Sequence, residues 1–158
     1  MAHWLFKTEP DAFGIDDLVS RPEQSEFWDG VRNYQARNFL RDEVAVGDDV
    51  LLYHSSCKNV GIAGLATVVA SASADPTQFD PESKYFDPKS SPDLPRWFGV
   101  KIRHVETFPE VLSLKRIKTM PGVVNLPLVK KGHRLSIMPV GDDEFDVLVA
   151  AARASDVD

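Results

Sequence analysis

Two apolar runs joined by a short polar link constrain this chain more than anything else in it. Val50-Leu51-Leu52-Tyr53-His54-Ser55 is apolar on both faces of an extended backbone, so it reads as an internal strand. After the polar connection from Ser56 to Asn59, residues Val60 to Ser73 form a long strand rich in Val, Ile and Ala. So short a link favours antiparallel neighbours. Gly61 and Gly64 in the second strand predict a bulge or a tight bend of the kind that closes barrels.

The other elements attach to that pair. His3 to Lys7 reads as a first strand that stops at Thr8-Glu9-Pro10, because Pro10 biases Glu9 away from helix. Ile15, Leu18 and Val19 carry helical spacing, and Glu26 to Val31 looks extended. Asn33 is placed to cap a helix, its side-chain oxygen accepting from the amide of Gln35 or Ala36. That helix buries Ala36, Phe39 and Leu40 and aligns Asn33, Arg37 and Arg41 on another side. Residues 75 to 96 make a long proline-punctuated loop with interspersed aromatics, which fits a lid or binding loop better than a passive linker. Trp97 to Phe108 predicts another strand, Ser113 to Met120 a short helix, and Arg134 to Val140 a final strand that Pro139 places at an edge. Leu126 to Val129 is apolar without a clear assignment. Gly141-Asp142 opens a closing helix with a stripe of Phe145, Leu148, Val149 and Ala152. Strands outnumber helices. The expected fold is α+β: a mixed, mostly antiparallel sheet curled into a partial barrel with helices packed at its ends.

At 158 residues the chain is expected to be a single domain spanning 1–158. Its 43% hydrophobic and 27% charged residues, with a mean hydropathy of −0.21, describe a soluble globular protein. No run has the apolar length needed to cross a bilayer, so no membrane partner is expected. The first residues show no basic segment followed by a long apolar one, and a lone Cys57 excludes an internal disulfide framework. Cytoplasm is the default compartment. A net charge of −6 argues against coating nucleic acid through bulk electrostatics. The charges are unevenly spread, however. Acids crowd the first 29 residues and the tail, while bases gather at Arg32, Arg37 and Arg41 and again at Lys101 and Arg103, leaving room for a local basic surface.

Several chemistries are disfavoured by spacing. His3, His54, His104 and His133 lie far apart with no CxxC partner, so no metal site or other cofactor is expected. His54, Ser55, Ser56 and Cys57 are adjacent, but neighbours on a strand point to opposite faces, and no GxSxG elbow or phosphate-binding glycine loop is present. Aromatic recognition fares better. Trp28 lies near Arg32 and Trp97 near Arg96, a combination that suits stacking a base between rings and holding its edges with amides and guanidinium groups. Core tryptophans and solvated arginines are the competing reading of the same residues.

Taken in order, these segments resemble a known family. Trp4-Leu5-Phe6-Lys7-Thr8-Glu9-Pro10, the run from Trp28 to Leu40, Tyr53-His54-Ser55, Tyr85-Phe86-Asp87-Pro88-Lys89, Pro95-Arg96-Trp97 and Arg134-Leu135-Ser136-Ile137 are similar to EVE-domain proteins. That family belongs to the PUA-like superfamily, together with YTH, ASCH and PUA domains. The resemblance implies a PUA-like pseudo-barrel with a pocket for a flipped or free modified base, such as a modified cytosine in DNA or RNA. It also implies the pocket residues: Lys7 and Glu9, then Trp28, Arg32 and Asn33, then His54 and Ser55, then Trp97, and Arg134 with Ser136. In those positions Trp28 and Trp97 would stack, Asn33 and Ser55 would bond base edges, and Arg32 with Lys7 would meet phosphate or an acidic edge. For Arg134 and Ser136 a structural role is an equal alternative, the arginine pairing with a carboxylate and the serine facing solvent.

Two other functions compete with a non-enzymatic reader. An ASCH-like ribonuclease would need a base and a charge stabiliser converging in the pocket, with His54, Lys7 and Glu9 as the set. A small-molecule or protein-interaction module would take a planar or anionic ligand in the pocket, or use the acidic early segment and tail.

Overall fold

The computed structural model describes residues 2–123, 126–130 and 135–154. At its centre lies a six-stranded sheet of β1 (His3–Thr8), β2 (Ser25–Phe27), β3 (Asp49–His54), β4 (Gly61–Ala74), β5 (Phe98–Ser113) and β6 (Ile137–Val140), in the order β2-β5-β4-β3-β1-β6. β3 and β4 are antiparallel neighbours, and β3 sits inside the sheet with Val50, Leu51, Leu52 and Tyr53 all buried, as apolarity on both faces requires. β1 and β3 pair in parallel, with Leu5 opposite Leu51, while the other pairings are antiparallel. The register of β4 slips against β5 between Ile62 and Gly64, and against β3 between Leu52 and Tyr53. The glycines of β4 thus mark real irregularities. β6 is an edge strand, which suits Pro139, a residue with no amide proton to donate.

Four α-helical segments are described: α1 (Ile15–Ser20), α2 (Tyr34–Asn38), α3 (Leu114–Ile117) and α4 (Asp142–Ala154). Asn33 caps α2, its Oδ1 accepting from the Ala36 amide at 3.0 Å, and a wider turn over Phe39–Glu43 continues it. Ala36 and Leu40 are fully buried beneath. Along α4 the stripe of Leu148, Val149 and Ala152 is buried, with Phe145 partly so. The His3 ring stacks on Phe145 at 4.0 Å and meets Asp49 at 2.9 Å and Asp142 at 3.0 Å, tying the start of α4 to β1 and β3.

The structure departs from expectation at several ends. β5 continues past Phe108 because its ladder with β4 persists to the Gly61–Ser113 pair. α3 is one turn only, started by Ser113, whose Oγ accepts from the Arg116 amide at 3.1 Å. Residues 126–129 make a tight turn that puts Leu126 and Leu128 into the core. The last strand begins at Ile137, and Arg134 lies outside the described residues.

One contact shows that the sheet is curled. Past β2 the Trp28 amide still bonds to Val100 at 2.7 Å, so Trp28 belongs to the β2 edge. Four strand spacings of about 4.8 Å would leave that edge about 19 Å from β1 in a flat sheet. Yet the Trp28 and Phe6 ring centroids are 5.5 Å apart. On the neighbouring strand, Gly99 of β5 lets the backbone at Trp28 lie close against β5, since a Cβ there would be 2.1 Å from the Trp28 carbonyl oxygen. The interior of that curl is the core, and its open end carries the site.

Candidate functional site

The exits of β1 and β3, the segment after β2 and the tip of the 75–96 loop enclose a cavity of about 710 Å³. β1 contributes Lys7 and Thr8, followed by Glu9, Ala12 and Phe13. Residues 26–33 form one wall. Ser55 and Ser136 come from the ends of β3 and β6, the two strands that flank β1, and the loop adds Lys84 and Tyr85. Phe13, Phe27, Trp28 and Tyr85 make much of the lining aromatic. The buried Trp28 ring packs against Phe6 at 5.5 Å and makes a T-shaped contact with Phe13 at 5.8 Å, so it is fixed before any ligand arrives.

The wall is braced by the loop. Gly30 adopts φ +80°, where its amide donates to Asp75 Oδ2 at 2.7 Å and its missing side chain leaves room for the Tyr85 ring. Asp75 is fully buried and also accepts from the Thr77 amide at 2.8 Å, the Thr77 hydroxyl at 2.6 Å and Arg32 Nη1 at 3.0 Å. Burial alone would push its carboxyl up, but these bonds from Thr77, Gly30 and Arg32 outweigh it and hold the carboxyl below the usual range. Arg32 then spends its remaining donors on the carbonyls of Tyr85 (2.7 and 3.1 Å) and Val31 (2.9 Å) and on the Thr77 hydroxyl (3.0 Å). Deeper in the loop, buried Gln78 donates to the Asp75 and Trp97 carbonyls at 2.7 and 2.8 Å and accepts from the Arg96 and Trp97 amides, both at 3.1 Å. The loop is built like a folded element.

Against this fixed frame stand a few charges that are free to meet a ligand. Lys7 is half-buried, and burial pulls its ammonium below the ordinary lysine range; the ammonium lies 5.8 Å from the centre of the Tyr53 ring. Burial pushes the Tyr53 phenol up to about 12, so it stays neutral. Asp29 is raised, first by burial and then by the charges of Asp75 and Glu26. Among the described residues no side chain hydrogen-bonds to Asp29 and no cation pairs with Glu9, whereas Glu26 has Arg21 at 3.5 Å. Fixed rings with an ammonium and carboxylates at their margins suit a planar ligand whose edge carries both donors and acceptors. Among the described residues no three His, Cys, Asp or Glu converge as metal ligands do.

Of the residues expected at the pocket, Lys7, Glu9, Trp28, Arg32, Asn33, Ser55 and Ser136 line this cavity. Trp97 does not. It is buried behind the wall, its ring stacked with Tyr34 at 4.8 Å and its indole N–H donating to Asp87 at 2.7 Å, so the two tryptophans do not face each other across one slot. His54 is also elsewhere: its Nε2 accepts from the Ile15 amide at 3.1 Å and it joins β3 to α1. Arg32 lies at the cavity, but its donors are spent inside the protein rather than offered to a phosphate. Asn33 uses its oxygen on the α2 cap, its NH₂ has no partner among the described residues, and Ser55 Oγ donates to the Thr8 carbonyl at 3.3 Å. Arg134 is outside the described residues. Sequence reasoning passed over Asp29, Asp75, Gln78 and Tyr85. Asp75-Pro76-Thr77 is a turn signature that singles out Asp75 as a capping acceptor; nothing local distinguishes Gln78.

The EVE domain family model matches residues 2–151. Human thymocyte nuclear protein 1 is 39% identical over 166 residues, covering 94% of this chain and 73% of that protein. A crystal structure of a Pseudomonas putida protein superposes with a TM-score of 0.91 at 51% identity, covering 96% of this chain and 99% of that one. The crystal structure of human THYN1 protein in complex with 5-methylcytosine-containing DNA superposes with a TM-score of 0.90 at 38% identity, covering 96% and 98% of the two chains.

Proposed function

The chain belongs to the EVE domain family, and from that premise we propose that it is a non-enzymatic binding module whose cavity takes a modified nucleobase, a modified cytosine above all, from DNA or RNA. The observation that carries the reading is the cavity itself. Its volume of about 710 Å³ lies within the range of ligand sites, and its walls are aromatic with polar groups at the margin. A cytosine presents an exocyclic amine that donates and N3 and O2 atoms that accept. Asp29 supplies an acceptor for the amine. Lys7 and the Asn33 NH₂ supply donors for the other two, and an added methyl group finds apolar ring surface. The structure of a relative 38% identical with 5-methylcytosine-containing DNA supports the choice of ligand. Use of His54 to hold the Ile15 amide supports a binding role over hydrolysis, because the general base that a ribonuclease would need is engaged elsewhere. The free Cys57 suits a reducing compartment such as the cytoplasm.

Titration of the protein with duplexes that carry one 5-methylcytosine, against the same duplex unmodified, tests the reading. Tighter binding of the modified duplex is expected. Equal affinity, or none, overturns it.

A further inference from the structure

Outside the cavity the structure holds a cluster that base recognition does not use. Tyr34 is 51% exposed although its ring is stacked on Trp97. The Arg37 guanidinium lies over the Tyr34 face at 5.0 Å and donates from Nη1 to the Arg96 carbonyl at 2.6 Å. Arg96 reaches the Tyr34 hydroxyl at 3.4 Å. Among the described residues neither Arg37 nor Arg96 pairs with a carboxylate, whereas the neighbouring Arg41 is tied to Asp42 at 2.8 Å. In a chain of net charge −6, two adjacent guanidinium groups that feel Asp42 and Asp87 only at a distance, beside a fixed aromatic pair, form a surface suited to an anion.

We propose that Tyr34, Arg37 and Arg96 form a second contact surface that holds the phosphodiester backbone beside the cavity. The proposal rests on the reading of the cavity as a base site. A base that enters a cavity leaves its own phosphates at the mouth, and cations are needed there. Of the cations that line the cavity, Arg32 is committed to Asp75, Thr77 and Tyr85 and Arg21 to Glu26, while Lys7 is assigned to the base edge and Lys84 stands at the loop tip. Asn33 lines the cavity, and the chain leads directly from it to Tyr34 and, within one helical turn, to Arg37. With Arg37 Nε on Asn38 Oδ1 at 2.9 Å and Nη1 on the Arg96 carbonyl, Arg37 offers Nη2 to a phosphate oxygen, and Arg96 offers every side-chain donor but the one on Tyr34 among the described residues.

The test compares wild type with Arg37→Gln/Arg96→Gln, using two probes: a duplex with one 5-methylcytosine, titrated across a range of salt concentrations, and free 5-methyldeoxycytidine. The double variant is expected to bind the duplex roughly tenfold more weakly. Its plot of log affinity against log salt should be shallower by about two units, while its affinity for the nucleoside is unchanged. Arg96→Gln alone, which removes one long bond to an exposed hydroxyl, should flatten the slope by about one and guards against misfolding of the double variant. If wild type binds the nucleoside but both variants keep the wild-type duplex affinity and slope, the backbone surface is refuted and the base site stands. If wild type binds neither nucleoside nor modified duplex, the base site falls and the surface falls with it. Competition by polyglutamate as strong as that by the duplex would assign the cluster to an acidic protein partner instead.

Discussion

Asp75 and Arg32 show how much one residue pair can carry. The carboxylate is fully buried while the guanidinium keeps 22% of its side-chain surface exposed. Removal of the arginine therefore strands the more deeply buried charge. Arg32→Met is expected to cost about 3 kcal/mol, measured by denaturant unfolding, and to loosen Tyr85 at the cavity edge. Part of that stability depends on pH. The Asp75 carboxyl is held below its unfolded value, so its contribution is complete above about pH 4 and is lost as pH falls through the native value. Asp29 has the opposite sign. Its carboxyl is raised in the folded protein, so the ionised form works against folding at every pH above the native value, and acidification relieves the cost. Asp29→Ala is thus expected to raise Tm at neutral pH, with the gain disappearing in acid. The same variant should weaken binding of a cytosine base by roughly 1–3 kcal/mol, because the exocyclic amine loses its acceptor. A variant both less stable and unaffected in binding would show that Asp29 has no part in the site.

Among the elements, the junction of β3 with α1 turns on His54. Its Nε2 must be unprotonated to accept the Ile15 amide, and burial lowers its affinity for a proton despite the nearby Asp16 and Asp17. Because the unfolded chain takes up the proton more readily, stability is complete above about pH 6.5 and declines as pH falls from there through the native value. His104 shifts in the same direction and adds to the decline. His54→Gln keeps an acceptor that cannot titrate, so Tm between pH 7 and 5 should fall less steeply than in wild type, with the His104 share remaining. Which elements were legible in advance follows from how local their causes are. The two-sided apolarity of Val50 to Tyr53 demands an internal strand whatever its neighbours are, and the Asn33 cap and the α4 stripe are complete within a few residues. The partners of His54 and Arg32 lie 39 and 43 residues away, and no local pattern states them. Trp97 was misplaced for the same reason: a tryptophan beside an arginine looks alike in a pocket wall and behind it.

The whole molecule enters through the cavity, which exists only when the sheet has curled. Its walls come from the β1 exit, residues 26–33, the ends of β3 and β6 and the loop tip, and no two adjoining elements contain it. The resemblance to a family ordered these segments correctly along the chain, but the hollow between them belongs to the tertiary structure. A base that occupies the hollow therefore has affinity for the folded state and none for the unfolded chain, which makes binding visible as stability. At a hundred times its measured Kd, free 5-methyldeoxycytidine should add about 2.7 kcal/mol. For a chain of this size, at about 2–4 °C per kcal/mol, that is a rise in Tm of roughly 5–11 °C. Asp29→Ala should show a smaller rise at the same nucleoside concentration, since its Kd is weaker, even though its starting Tm is higher. Arg37→Gln/Arg96→Gln should show the full rise, because the nucleoside has no backbone phosphate for those side chains to hold. Equal shifts in all three proteins would place the nucleoside away from Asp29, and absence of a shift in wild type at a concentration that saturates binding would mean that the base does not select the folded cavity at all.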